Sequence, residues 1–206
     1  MLVFAAGGAV GPPVIGAALG GGFFAGQIST AGNGIADYNL VVGPVSSAQN
    51  ASVQWKTTNT TTAGTTSVID GPTNSTNMNN ASHPAAQFCE GLTIGGFSDW
   101  YMPAKNELEV CYYNLKPTTA NNTTGSGINA NAVPARASNY TIGTPAQTTA
   151  AAFKDTGAED FATGFYWSST QNSATTGSGQ FFSDGTQYVY AKTASYSVRA
   201  IRRIAV

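Results

Sequence analysis

The sequence predicts one α+β domain: two helices packed on small antiparallel sheets, a long loop, and an apolar N-terminal arm. Three observations carry this. β-branched and aromatic runs bounded by Gly, Asn and Ser lie at both ends of the chain; two segments with helical apolar spacing lie between them; no fixed period repeats. The 206 residues suffice for one domain with a real core plus an arm. The arm is read as residues 1–21 and the domain as residues 22–206.

Residues 1–28 carry no charged side chain. A signal peptide expects a basic n-region, yet the first Lys or Arg is Lys56. A membrane span is broken by Gly11-Pro12-Pro13 and Gly20-Gly21-Gly22. The remaining reading is an arm that packs on a neighbouring subunit or attachment platform. An arm so apolar aggregates if left free, so it argues for a homo-oligomer.

After the arm, residues 23–29, 38–45 and 52–56 read as strands, and the Thr-rich residues 57–67 as a loop or edge hairpin. Ala81, Ala85, Phe88, Cys89 and Leu92 share one helical face. Pro84 suits the first turn of that helix, and Gly91 stops it. A second helix is predicted over 103–115, with Leu108, Cys111, Tyr112 and Leu115 on one stripe. Pro103 opens it, Pro117 ends it, and Glu107 and Glu109 lie toward its N-terminal half, where the dipole favours carboxylates. Residues 118–164 form a long polar loop with a short element near 147–153; loops of that length usually carry function. Residues 164–170, 179–183, 187–193 and 197–204 then read as a β meander, with Asp184-Gly185 as a two-residue hairpin turn.

Composition narrows the function. Only 9% of residues are charged, against roughly 25% in an ordinary soluble domain. Nine basic against ten acidic residues give no basic surface for nucleic acid. With 42% hydrophobic and 11% aromatic residues, disorder fits badly. Little charge repulsion protects such a surface from association, as in virion and fibre subunits or secreted domains.

Neither catalysis nor metal binding is expected. His83 is the sole histidine, beside Pro84 at a helix start, where an exposed or capping role is expected; no nucleophile motif points to it. Asp155, Glu159 and Asp160 are too few for calcium, which takes six to eight oxygens, and read as a solvated turn or short helix. Cys89 and Cys111 form no metal motif. A disulfide between them would close a loop of about 23 residues, worth ~3 kcal/mol; both fall on apolar stripes, so two buried thiols are preferred. Gly20-Gly21-Gly22 and Gly125-Ser126-Gly127 lack the context of a phosphate loop. Seven Asn-x-Ser/Thr triplets are attributed to the abundance of those residues. No cofactor is expected.

Two segments carry a resemblance. Gly95-Gly96-Phe97-Ser98-Asp99-Trp100-Tyr101-Met102-Pro103-Ala104-Lys105-Asn106-Glu107-Leu108 resembles a G-x-x-D-W-x-L-P-x-x-x-E-L signature. Tyr166-Trp167-Ser168-Ser169-Thr170, then Phe182-Ser183-Asp184-Gly185, then Val198-Arg199-Ala200-Ile201-Arg202 resembles Y-W-S-S-T … F-x-x-G … V-R-x-V-R. Both are similar to the C-type-lectin-like domain found at the tips of collagen-like bacterial adhesins and in bacteriophage tail-fibre and virion proteins. The resemblance spans roughly residues 22–206 and implies that fold. Glu-Pro-Asn, Gln-Pro-Asp and Trp-Asn-Asp segments of calcium-dependent lectins are absent, so that mechanism does not come with it. The reactive cysteine pair of formylglycine-generating enzymes is not matched either, since Cys89 and Cys111 fall in the helices.

Read from the residues, Asp99, Trp100, Pro103, Glu107, Tyr166, Trp167, Arg199 and Arg202 define the fold. Trp100 is expected to seat the second helix on the sheet and to need an acceptor for its indole N–H. Arg199 and Arg202, three apart on one strand, are expected on opposite faces, at least one paired with Asp99 or Glu107. The resulting expectation is a non-enzymatic virion surface or tail-fibre protein of a bacteriophage, made in the host cytoplasm, that attaches to a host surface glycan or protein. Its partners would include other virion subunits, held through the arm. Tyr140, Tyr188, Tyr190 and Tyr196 are the candidate contacts, because Tyr stacks on sugar faces and also hydrogen-bonds. The alternative is a decoration or connector subunit of capsid or tail without a ligand; a secreted bacterial adhesin is a third class.

Overall fold

A strand buried on both faces reads as an unbroken apolar run, and Leu40-Val41-Val42 and Phe165-Tyr166-Trp167 are such runs. Each divides two cores in the computed structural model, which describes residues 11–206. The first ten residues of the expected arm lie outside the described residues.

The elements are β1 (Ala18–Leu19), β2 (Gly22–Ile28), β3 (Tyr38–Val42), α1 (Val45–Ala48), β4 (Gln49–Gln54), α2 (Gly71–Thr76), α3 (Pro84–Glu90), α4 (Lys105–Leu115), β5 (Ala132–Val133), a 3-10 turn (Ala151–Phe153), β6 (Phe165–Gln171), β7 (Thr176–Phe181), β8 (Gln187–Ala191), β9 (Ser195–Arg199) and β10 (Ile201–Ala205). One sheet has the order β1-β2-β3-β10, with β5 also on β2; the other is β4-β9-β6-β7-β8. The architecture is α+β, as expected.

The sheets are joined by one bent ribbon. β3 pairs with β10 in the first sheet, and β4 pairs with β9 in the second, all antiparallel. The bend falls at Gly43 and Ala200: Gly43 N–H donates to the Ala200 carbonyl (3.0 Å), and Ala200 N–H to the Ala48 carbonyl (2.8 Å), with α1 looped out. Glycine is required at 43 because Ala48 and the Trp100 ring fill the space a side chain there would need. The one final strand expected over 197–204 is therefore two strands in different sheets. The expected meander is also corrected, since β9 inserts between β4 and β6 and runs parallel to β6.

α4 covers the first core, which holds Leu40, Val42, Leu108, Cys111, Tyr112, Leu115, Tyr166, Phe182 and Ile201. At its contact with β2, a bulge at Ala25 is followed by Gly26 with φ +134°, against which Val110 and Asn114 press. A side chain there would meet α4 and would strain the backbone. α3 covers the second core, with Val41, Trp55, Met78, Ala85, Cys89, Trp100, Trp167 and Val198. Trp55 donates its indole N–H to the Ser168 carbonyl (2.8 Å) and Trp167 donates to the Val53 carbonyl (3.1 Å), so β4 and β6 are cross-linked through two buried rings.

Four further expectations change. The boundary at residue 22 cuts a hairpin, because β1 pairs with β2 and Gly16 N–H bonds the Phe24 carbonyl (2.8 Å). The Asp184-Gly185 turn is a four-residue loop, since Phe181 N–H bonds the Thr186 carbonyl and Gln180 faces Gln187. The helices at 45–48 and 71–76 were not expected; the second is capped by Asp70, which accepts Thr73 N–H. The two expected helices are shorter, beginning at Pro84 and Lys105.

Candidate functional site

The motif residues are structural. Asp99 takes Arg202 in a two-pronged ion pair (2.7 and 2.9 Å), and Arg202 also donates to the Gly20 carbonyl. The Phe97 ring lies 3.9 Å from that guanidinium. The expected pairing of an arginine with Asp99 is thus present, while Glu107 pairs with Arg203, which the sequence reading overlooked. Glu107 also accepts the Tyr101 hydroxyl (2.5 Å) and Ala104 N–H (2.7 Å), closing the first turn of α4. Burial pushes its carboxyl above the ordinary value, against the pull of Arg203. Trp100 donates to the Phe97 carbonyl (3.1 Å) and lies in the core under α3, not under α4 as expected. Pro103 is buried, and its carbonyl accepts Ser169 N–H. Tyr166 donates to Gln49 Oε1 (3.0 Å), and its ring lies with α4 in the first core, whereas Trp167 faces the second. Arg199 and Arg202 are both buried, on two strands instead of on two faces of one.

The turn at Asp155, Glu159 and Asp160 is only partly solvated. Asp155 is exposed, but the Glu159 carboxylate accepts both Arg199 (2.8 Å) and Val45 N–H (2.8 Å). His83 is buried instead of exposed: Nδ1 is bonded to Asn80 and Nε2 to Thr62, and burial lowers its pKa to about 4, helped by Lys56 and Lys192. Both cysteines are buried free thiols, one in each core, as preferred.

The long loop is fastened to α4 by Glu109, which is fully buried. Its carboxylate accepts Arg136 through two nitrogens, Asn129 Nδ2 (2.6 Å) and the Tyr140 hydroxyl (2.7 Å). Arg136 lies 4.1 Å over the Tyr113 ring. Above this network is a cleft of about 260 Å³ between Tyr113, Arg136, Asn139 and Thr144. Tyr140 also lines this cleft, but it is 5% exposed and its hydroxyl turns inward to Glu109, so it presents little of its ring to the surface. Glu109, Asn129 and Arg136 went unread as a unit because nothing local in 118–164 points back to a helix residue 20 to 30 positions away.

Tyr188, Tyr190 and Tyr196 do come together. Their rings form a row on β8 and β9, with centroids 5.2 Å apart for Tyr188 and Tyr190 and 4.7 Å apart for Tyr190 and Tyr196. Phe165 lies beneath, in edge contact with Phe181, Tyr190 and Tyr196. Gly179 on β7 makes this possible, since the Phe165 ring occupies the space a side chain there would need. Tyr188 is 54% exposed; the other two are half-buried. The row is a rigid aromatic ledge continuous with the second core.

Most of the positive charge is engaged internally, while most carboxylates keep some exposure. All four arginines are in ion pairs with carboxylates. Lys56, Lys116 and Lys192 are buried and donate mainly to carbonyl oxygens, Lys192 also to Gln171. The ammonium groups of Lys105 and Lys154 remain without a hydrogen-bond partner among the described residues. No group of three or more His, Cys, Asp or Glu side chains converges among the described residues, and no helix there is long and apolar enough to cross a membrane. The surface offers aromatic faces, amides and hydroxyls, which suit non-covalent contact with a polar ligand.

Residues 46–202 match the family of the Lcl C-terminal domain, which is C-type-lectin-like. No curated protein matches the chain. The match takes in the Trp100 segment, the Tyr166-Trp167 strand and the arginines of the last two strands, and the chain belongs to the Lcl C-terminal domain family.

Proposed function

We propose that this chain is a virion surface or tail-fibre protein of a bacteriophage whose C-type-lectin-like domain attaches, without chemistry, to a host surface glycan. The observation that carries the reading is the tyrosine ledge: three clustered rings, one largely exposed, on a sheet stiffened from beneath by Phe165. Family membership supports an adhesin-like, lectin-type role. The uncharged N-terminal residues support assembly with other virion subunits and with further copies of the chain. Weak single sites then gain from copy number, by ~10²–10⁴. The test is adhesion of the purified protein to host cells, with Tyr188→Ala and Tyr196→Ala beside the parent. Adhesion that weakens in both variants is expected; no adhesion of the parent, alongside normal adsorption of particles that carry it, refutes the reading.

The internal pairing of the arginines and of three lysines favours a second reading, a decoration or connector subunit with no ligand. Particles lacking the protein would then adsorb normally but lose physical stability.

A further inference from the structure

One side of the ledge opens into a small polar cavity. It has a volume of about 80 Å³ and is lined by Lys105, Asn172, Ser178, Gln187, Tyr188 and Val189. Four elements build it: Lys105 is the first residue of α4, Asn172 follows β6, Ser178 lies on β7, and Gln187, Tyr188 and Val189 lie on β8. Two of these residues bring nitrogen donors with nothing to donate to. Gln187 Nε2 is buried without a partner, which is costly for an amide. The Lys105 ammonium is one of the two lysine ammonium groups without a hydrogen bond or ion pair among the described residues, and the residue is half-buried. A third amide, Asn172 Nδ2, donates to Thr176 Oγ1 (3.0 Å) and keeps its second hydrogen. The other arginines and lysines that line the surface cavities are already engaged: Arg136 by Glu109, Arg203 by Glu107, Lys116 by carbonyl oxygens.

We propose that this cavity is the charge-reading part of the contact site and takes the carboxylate of an acidic sugar, a uronic-acid type of unit, whose ring lies on Tyr188. The proposal rests on the contact reading above and names its ligand class. The cavity is too small for a hexose ring but admits a carboxylate. An ammonium and unsatisfied amide N–H groups favour an anionic acceptor over a hydroxyl, because bonds to a charged group are about twice as strong. The aromatic face of Tyr188, 54% exposed and lining the cavity, receives the apolar face of the sugar. Because every other basic side chain among the described residues except the exposed Lys154 is buried or ion-paired, Lys105 gives this face a free positive group that the surface elsewhere offers only at Lys154.

The experiment passes the purified assembled protein over immobilised alginate, a polyuronate, and over dextran, a neutral glucan. Alginate is expected to bind at least tenfold more tightly, with the preference fading as salt rises. Lys105→Gln should lower alginate binding about tenfold and leave dextran unchanged; Lys105→Arg should stay within about threefold of the parent. Lys154→Gln, which removes the other unpaired lysine away from the cavity, is the control and should have no effect. Equal affinity for the two polymers, binding to neither, an unaffected Lys105→Gln, or an equal loss in Lys154→Gln overturns the proposal. Host-cell adhesion separates the two readings. If the parent adheres and Lys105→Gln adheres equally, the contact reading stands and the acidic-sugar assignment falls. If the parent does not adhere, the contact reading itself falls.

Discussion

Glu107 and Glu109 stand two residues apart on α4, both with no exposed surface, and each holds a different arginine: Arg203 of β10 for the first, Arg136 of the long loop for the second. Two positions along a helix turn the side chain by about 200°, so the carboxylates face opposite sides. α4 is thereby the post to which both the sheet and the long loop are tied. The whole segment from Glu107 to Tyr112 is buried, which is why an apolar stripe alone under-described it.

Removing one carboxylate should release one side. Glu109→Ala leaves Arg136, Asn129 and Tyr140 without their acceptor and is expected to cost about 3–5 kcal/mol, as for a broken buried pair. Hydrogen exchange should speed up over residues 129–140 more than in β2 or β3. Uniform speeding across both would contradict the assignment.

The ion pairs of Arg202 and Arg199 should differ in weight. Asp99 has a side chain 55% exposed, so Asp99→Asn should cost about 1 kcal/mol or less in chemical denaturation. Arg199 has a fully buried side chain and donates to the Gly43 and Glu159 carbonyls as well as to the Glu159 carboxylate. Arg199→Met strands those acceptors and is expected to cost about 3 kcal/mol or more. Equal costs would show that the ribbon bend does not depend on Arg199.

His83 predicts an acid limb. Its pKa falls from 6.5 to about 4 because burial disfavours the charged ring, and Lys56 and Lys192 repel it. The unfolded chain then binds the proton more readily than the folded one. Stability from this group is complete above about pH 6.5 and declines as pH falls toward 4, by at most about 3 kcal/mol before screening. Denaturation midpoints measured from pH 7 to 4 should flatten in His83→Gln; an unchanged slope assigns the limb to carboxylates instead.

The thiols should be silent. Burial pushes both Cys89 and Cys111 upward from the ordinary thiol range, so neither forms thiolate at neutral pH. A thiol reagent should label neither in native protein and both in guanidinium chloride. Native labelling of Cys89 alone would mean that α3 opens.

Helices and strands were legible wherever one face is apolar. Pro84, Gly91, Pro103 and Pro117 marked the helix limits to within a few residues, and the aromatic strands at 165–171 and 187–191 followed from composition. Sheet membership was not legible. Nothing local in Val198-Arg199-Ala200-Ile201-Arg202 says that the strand changes sheets at Ala200; that depends on Gly43 and Trp100, more than 90 residues away in sequence. The site was half-legible for the same reason. Side-chain chemistry alone singles out the tyrosines at 188, 190 and 196, but it does not show that Tyr140 turns inward, because its partner, Glu109, lies on another element. Lys105 and Gln187 met across α4 and β8 without any motif to join them.

The bend at Gly43 and Ala200 also fixes how the molecule comes apart. Since β3 leads into β4 and β10 follows from β9, neither core can lose its strands while the other keeps them. Heating should therefore give a single calorimetric peak with matching calorimetric and van't Hoff enthalpies, despite two separate cores. A shortened C-terminus ending before Ile201 should leave no folded half behind.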